Sequence, residues 1–258
     1  MYKRICRAIG GALARYLSQP NPRYVPLATV EARQLKATLE PCDVLLVEGN
    51  TRFSTAVKYL TQSTWSHAAL YVGECAAAGW QRGNEPLLIE ADVAQGVIAV
   101  PLSKYDAQHT RICRARSLSA EDKQKVIAHA LSSLGNQYDL KNVFDLARYL
   151  FPTPPIPSRW RRRALRFGSG DPTRAMCSTL IAQAFQSARY PILPNITKEQ
   201  RPGTTAESCN DCVEEIWHIR HYSLFAPRDF DISPYFAIVK PAIAVQFDHH
   251  DIVWEERS

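Results

Sequence analysis

The spacing of apolar residues changes period along the chain, and each change marks an element. Over residues 2–17 the period is helical. At about 100° per residue, Tyr2, Ile5, Cys6, Ile9, Leu13, Tyr16 and Leu17 share one stripe, with Lys3, Arg4, Arg7 and Arg15 opposite. A basic amphipathic helix of this kind lies on a membrane surface or docks its stripe on the domain's own core. Gly10 and Gly11 weaken it as a free helix by roughly 1 kcal/mol each. Pro20, Pro22 and Pro26 then mark a linker, a second helical segment runs to about Leu39, and Pro41 ends it.

From there the runs shorten. "DVLLVEGN", 43–50, reads as a short buried strand closed by a turn, "TRFSTAVKYLTQ", 51–62, as a helix, and "SHAALYVG" as a strand ended by Gly73. "PLLIEAD", 86–92, and "GVIAVPL", 96–102, form two strands with a tight turn between them, and "TRICRAR", 110–116, adds another. Ser119 and Asp122 have capping spacing before the apolar face of Val126, Ile127, Ala130, Leu131 and Leu134, which Gly135 closes. "NVFDLARYL", 142–150, is helical. Residues 151–175 carry "FPTPPIP", an arginine cluster and "GSGDP", and read as an irregular insertion or flap. "MCSTLIAQAFQSA" is again a helix. Beyond Pro191 the expectation is loop, with a short helix near Glu207 to His218 and strands within 236–246. Hairpin spacing among the strands predicts an α+β fold with a mainly antiparallel sheet packed against helices.

Composition narrows the class. With 46% hydrophobic and 22% charged residues over 258 positions, the chain is of globular type and can bury its own core. It has no apolar run near the ~18 residues of a spanning helix and no secretory signal, which together suggest a cytoplasmic protein that could sit peripherally on a membrane. The seven cysteines, Cys6, Cys42, Cys75, Cys113, Cys177, Cys209 and Cys212, are an odd set and read as free thiols. Cys209 and Cys212 have metal-like or redox-like spacing but lack a second pair. His249, His250 and Asp251 sit in a polar tail. No metal is expected at either place. No Walker-type or dinucleotide glycine pattern exists, so no cofactor is expected. The net charge of +6 is uneven: basic residues gather in the first thirty positions and in "RWRRRALRF", 159–167. Two such patches favour an anionic partner or are simply solvated faces. Only Trp160 and Phe167 interleave with the arginines, so nucleic acid is not expected.

Cys177 has the strongest chemical signal. It stands in the first turn of its helix, where the partial positive charge stabilises a thiolate and free N–H groups can donate to an oxyanion. A cysteine nucleophile needs a base, and the base needs an orienter. His67, where an apolar strand begins, and Glu90, at the end of "LLIE" on a neighbouring strand, can fill those places. Each residue also has an ordinary structural explanation: a packed thiol, a satisfied polar residue, a solvated carboxylate.

The succession "PCDVLLVEGN", "SHAALYVG", "LLIEADVAQGV", "GNQYD" and "CSTLIAQAF" resembles the circularly permuted papain-like cysteine hydrolases of the NlpC superfamily, the YiiX/YebB-like group in particular. "LFAPRDFDISPYF", 224–236, is similar to that family's closing segment. The resemblance covers roughly residues 41–240. It implies a papain-like, permuted NlpC-type antiparallel sheet or partial barrel, preceded by a helical extension over 1–40 and followed by a tail over 241–258. It also implies Cys177 as nucleophile, His67 as base and Glu90 as the residue orienting the imidazole. Tyr138, in "GNQYD", and Ser178, beside Cys177, are expected near the substrate. The family often has glycine where this chain has Cys42, and the small residue suggests that the turn is kept. His67 would be tolerated at its strand because the strand start opens into a cleft.

The expected chemistry is acyl transfer through an acyl-enzyme, at an amide or ester bond. The substrate is lipid-linked or membrane-associated, a choice favoured by the basic patches at 2–17 and 159–167, or a cell-wall-type peptide. The alternative of another class is a non-catalytic papain-like module that binds membranes or partners.

Overall fold

Strand β1 (Val44–Val47) is buried along its whole length, and the rest of the architecture follows from covering both its faces. It lies between β2 (His67–Gly73) and β5 (Thr110–Ala115). With β3 (Leu87–Asp92), β4 (Gly96–Pro101) and β8 (Phe236–Val239) they make a six-stranded sheet in the order β4-β3-β2-β1-β5-β8, antiparallel throughout. The computed structural model describes residues 30–73, 86–92, 95–136, 176–200 and 213–241, together with Tyr16, 19–21, Tyr24 and 27–28.

The helices are α1 (Ala32–Thr38), α2 (Arg52–Thr61), α3 (Ala120–Ser132), α4 (Met176–Ser187) and α5 (Pro227–Ile232). On one face of the sheet Val44, Leu46, Ala68, Leu70 and Ile89 pack with Val126 and Ala130 of α3 and with Leu180, Ile181 and Phe185 of α4. On the other, Leu45, Val47, Ala69, Tyr71 and Leu88 pack with Leu35 of α1, Leu39, and Leu102 and Tyr105 of a 3₁₀ turn (Leu102–Tyr105). Covering on both sides explains why β1 and β2 read as unbroken apolar runs instead of alternating. Each fully buried Leu there contributes roughly 1.5–3 kcal/mol.

Caps fix the helices where the sequence marks them. The Thr51 hydroxyl accepts from Ser54 N at 3.1 Å and starts α2, and the Ser119 hydroxyl accepts from Asp122 N at 3.1 Å and starts α3. Past α3, Gly135 takes φ +81°, and its N–H donates to Val97 O at 2.9 Å, tying the helix exit to β4.

The turn into β1 carries a side chain where backbone geometry favours glycine. Cys42 has φ +76°, a left-handed conformation that costs a non-glycine residue roughly 1–2 kcal/mol. Two contacts hold it: its N–H donates to Tyr71 O at 2.9 Å, and its buried Sγ lies 3.4 Å from Lys123 O. Next to it, the buried Asp43 carboxylate receives two bonds from Arg114 of β5, Nε to Oδ1 at 2.9 Å and Nη2 to Oδ2 at 2.8 Å. The same guanidinium reaches Thr38 O at 2.6 Å, so one arginine joins α1, the turn and β5.

The C-terminal part differs from expectation. Residues 213–218 belong to no helix: β7 (Val213–His218) pairs antiparallel with β6 (Asn195–Gln200) in a separate two-stranded sheet. "VEEIWH" lacks a helical stripe, and pairing Ile216 and Trp217 across to Thr197 and Ile196 satisfies its backbone. The strand expected within 236–246 is β8 and stops before Pro241. The 2–17 helix apart from Tyr16, the 142–150 helix, the 151–175 insertion with the 159–167 cluster, Cys209, Cys212 and the 242–258 tail lie outside the described residues. Among those described, no helix is long and apolar enough to cross a membrane.

Arg114→Met strips the buried Asp43 of its ionic partner. Breaking such a pair costs about 3–5 kcal/mol, so urea unfolding should show a loss of at least about 3 kcal/mol. A loss under about 1 kcal/mol would mean that this tie contributes little.

Candidate active site

Three backbone features converge where β1 ends and β2 begins. The first is the turn after β1. Gly49 N donates to Ser66 Oγ at 2.9 Å, and a Cβ on Gly49 would lie 2.2 Å from Ser54 Oγ and 2.9 Å from Ser66 Oγ. Only glycine lets this turn approach α2 so closely. The second is Trp65, buried two residues before β2. Its Nε1 donates to Asp231 Oδ2 at 3.1 Å and the Arg111 guanidinium lies 4.9 Å from its ring centroid, anchoring the strand's entrance. The third is the start of α4, which packs on β2 and β3 and carries Cys177 at its second position.

His67 is the first residue of β2, opposite Val47. Its Nε2 lies 3.1 Å from Glu90 Oε2. The imidazole also shares a hydrogen bond with the Cys177 thiol. With Nε2 occupied by Glu90, Nδ1 is the ring nitrogen left for the sulfur. The sulfur accepts a further bond from the Ala68 N–H. Sulfur, imidazole and carboxylate thus stand in a row, brought together from α4, β2 and β3. Cys177 is 4% exposed and Glu90 1%, while the His67 side chain keeps 23%.

Two further side chains complete the surroundings of Glu90. Lys104 Nζ donates to Oε1 and the Tyr105 hydroxyl donates to Oε2. Both come from the 3₁₀ turn after β4. No spacing in "PLSKYD" marks them, because turn residues follow no period; they meet Glu90 only once β3 and β4 have paired.

The charges reinforce one another. Burial opposes a charge on His67, but the Cys177 thiolate and the Glu90 carboxylate outweigh it and raise the imidazole to about 10. Burial pushes the Cys177 thiol up, and the imidazolium, the Ala68 N–H and the Ser178 hydroxyl reverse this, leaving it below its ordinary value. Burial likewise works against Glu90, yet His67 and Lys104 hold it down at about 2. Cys42 and Cys113 behave oppositely: burial raises Cys42 to about 12 and raises Cys113 as well. Of these three thiols, Cys177 alone is biased towards the nucleophilic form.

The group opens into a cleft of about 240 Å³, with Phe53, Ala91 and Tyr105 as apolar wall and Asn50, Thr51, Ser54, Asp92 and Gln108 as polar wall. Ser178, expected on the substrate's side, does not line it. Its side chain is fully buried, with Oγ 4.0 Å from the Cys177 sulfur, because one step along a helix turns a side chain by about 100°. Tyr138 lies outside the described residues. Among those described, no cluster of three or more His, Cys, Asp or Glu side chains is arranged to hold a metal ion.

An antiparallel sheet whose histidine strand precedes a cysteine helix has the element order expected of a permuted papain-like fold. Residues 38–150, a little under half of the chain, match the family of permuted papain-like amidase enzymes, YaeF/YiiX, C92. Over those residues the chain is similar to this family, and the similarity supports a hydrolase of the permuted papain-like, YiiX-like kind. It includes His67, Glu90, Lys104 and Tyr105 and ends before Cys177. Among solved structures, the chain is similar to one titled metalloprotein YiiX from Escherichia coli O157:H7, at 18% identity and TM-score 0.45, over 78% of this chain and 96% of that one. No curated protein matches.

Gly49→Ala forces the 2.2 Å contact with Ser54 Oγ to open. Such overpacking costs typically about 1–3 kcal/mol, and thermal unfolding should show a lowered midpoint that Ser54→Ala in the same chain partly restores. An unchanged midpoint would mean that the turn yields freely.

Proposed function

We propose that this protein cleaves an amide bond, with Cys177 as nucleophile, His67 as general base and acid, and Glu90 as the residue that orients the imidazole. The observation that carries the reading is the unbroken row from Cys177 through His67 to Glu90 at the edge of a cleft. The Cys177 thiolate attacks the carbonyl carbon, forming an S–C bond. The oxyanion is received by N–H groups at the start of α4, which have no helical partner. As the C–N bond breaks, the protonated His67 gives its proton to the leaving nitrogen. Water then attacks the thioester, His67 takes a proton from it, the C–S bond breaks, and the carboxylic acid leaves as the Cys177 thiolate is restored beside the imidazolium.

The amide group fits the family. Within that class we favour an amide carried on a lipid or at a membrane surface. The support is in the sequence: the basic stripe of residues 2–17 and the arginine cluster at 159–167. Flotation with anionic liposomes, comparing the intact chain with one lacking residues 1–20, tests this. Loss of flotation on truncation supports the lipid reading; equal recovery of both overturns the role of that stripe.

Reaction with iodoacetamide, followed by mass spectrometry, tests the nucleophile. The lowered thiol and raised imidazole give a pH window between them in which the thiolate–imidazolium pair is populated. At about pH 6, Cys177 should label at least tenfold faster than ordinary thiols of pKa about 8.5. Cleavage of an N-acyl amide should fall as the sulfur protonates at low pH, and again as His67 loses its proton near 10. His67→Ala should lower it by roughly 10²–10⁴, and Cys177→Ala should abolish it. Labelling of Cys177 no faster than the other cysteines, with His67→Ala neutral, would leave only a binding module.

A further inference from the structure

We infer that Lys104 and Tyr105 are positioning residues of this site: gripping both oxygens of Glu90, they keep it ionised and fixed, and through it they hold His67 on Cys177. The inference rests on the catalytic reading above and adds a second layer to it.

The argument begins with burial. Glu90 is 1% exposed, and an ionised carboxylate removed from water is very costly unless paired. His67 alone cannot pair it, because His67 also faces the Cys177 sulfur. Taken as thiolate, imidazolium and carboxylate, the row carries a net negative charge in a largely water-free place. The Lys104 ammonium brings the cluster to neutrality. Its side chain is 39% exposed, so its own charge stays partly hydrated while its tip touches Glu90 Oε1.

Tyr105 acts on the other oxygen. Its buried hydroxyl donates to Oε2, the atom that His67 Nε2 also reaches. The Tyr105 and His67 rings lie 6.2 Å apart between centroids, so the phenol fixes the acceptor while its ring borders the imidazole. A hydroxyl held by a carboxylate is a donor only: burial and Glu90 keep the phenol protonated well above its ordinary value. Without these two donors Glu90 has a single ring N–H for a partner and could take up a proton instead, releasing the imidazole. The charged or titratable groups around it are His67 on β2, Asp92 on β3, Lys104 and Tyr105 on the 3₁₀ turn and Cys177 on α4.

The pH dependence of carbamidomethylation by iodoacetamide separates positioning from mere packing. Losing the cation disfavours both the Glu90 carboxylate and the Cys177 thiolate, so both effects push the acid limb the same way. A charge at this range moves a pKa by about one to three units. With Lys104 partly exposed, Lys104→Met should raise the acid limb of Cys177 labelling by about one pH unit. Lys104→Arg should keep the wild-type profile to within a few tenths. Tyr105→Phe should raise the limb by less than Lys104→Met, since a neutral donor is lost. A Lys104→Met profile that superimposes on wild type, a uniform loss of rate without displacement, or failure of Lys104→Arg to restore the limb would each overturn the inference. The wild-type profile is read first: if Cys177 shows no enhanced labelling there, the catalytic reading itself fails, a result distinct from an unshifted Lys104→Met limb beside a reactive wild type.

Discussion

An imidazole shared between a buried carboxylate and a buried thiol is the interaction on which this structure turns. Glu90 could not remain charged at 1% exposure without cations beside it, and Cys177 would be an inert core thiol without the imidazolium. His67 serves both, which is why an ionisable residue is stable at the entrance of an otherwise apolar strand. Cys42 and Cys113 show the contrast. They are buried as well but lack a histidine, and burial, reinforced by nearby aspartates, raises them.

The scaffold supplies the rigidity this needs. β2 has neighbours on both sides and layers on both faces, so His67 leaves a strand with little freedom to move. Trp65, tied to Asp231, fixes the approach, and the glycine at 49 lets the opposing turn close against Ser54 and Ser66. The nucleophile comes from another layer, α4, whose register is set by Leu180, Ile181 and Phe185 in the core. Geometry at the sulfur is therefore a consequence of packing many residues away.

Much of the site could be read before folding is considered, for specific reasons. Short apolar runs bounded by turn residues located β1, β2 and β3, and "MCSTLIAQAFQSA" reads as a helix, so the elements bearing His67, Glu90 and Cys177 were visible. That these meet came from the order of the motifs, since periodicity says nothing of distance between elements. Lys104 and Tyr105 were invisible because a short 3₁₀ turn has no pattern and its partners arise only through strand pairing. Ser178 stays beside the sulfur but turns into the core and does not line the cleft, a direction that its place next to Cys177 in the sequence does not reveal. The β6–β7 hairpin escaped for a different reason: its strands are largely exposed, and without a buried face no alternation is imposed on the sequence.

The protonation of His67 is the most direct test. In ¹⁵N-histidine spectra at about pH 8, above the ordinary histidine range, the account requires both ring nitrogens of His67 to be protonated, as an imidazolium held between thiolate and carboxylate. A neutral ring at that pH, titrating like a free histidine, would contradict it.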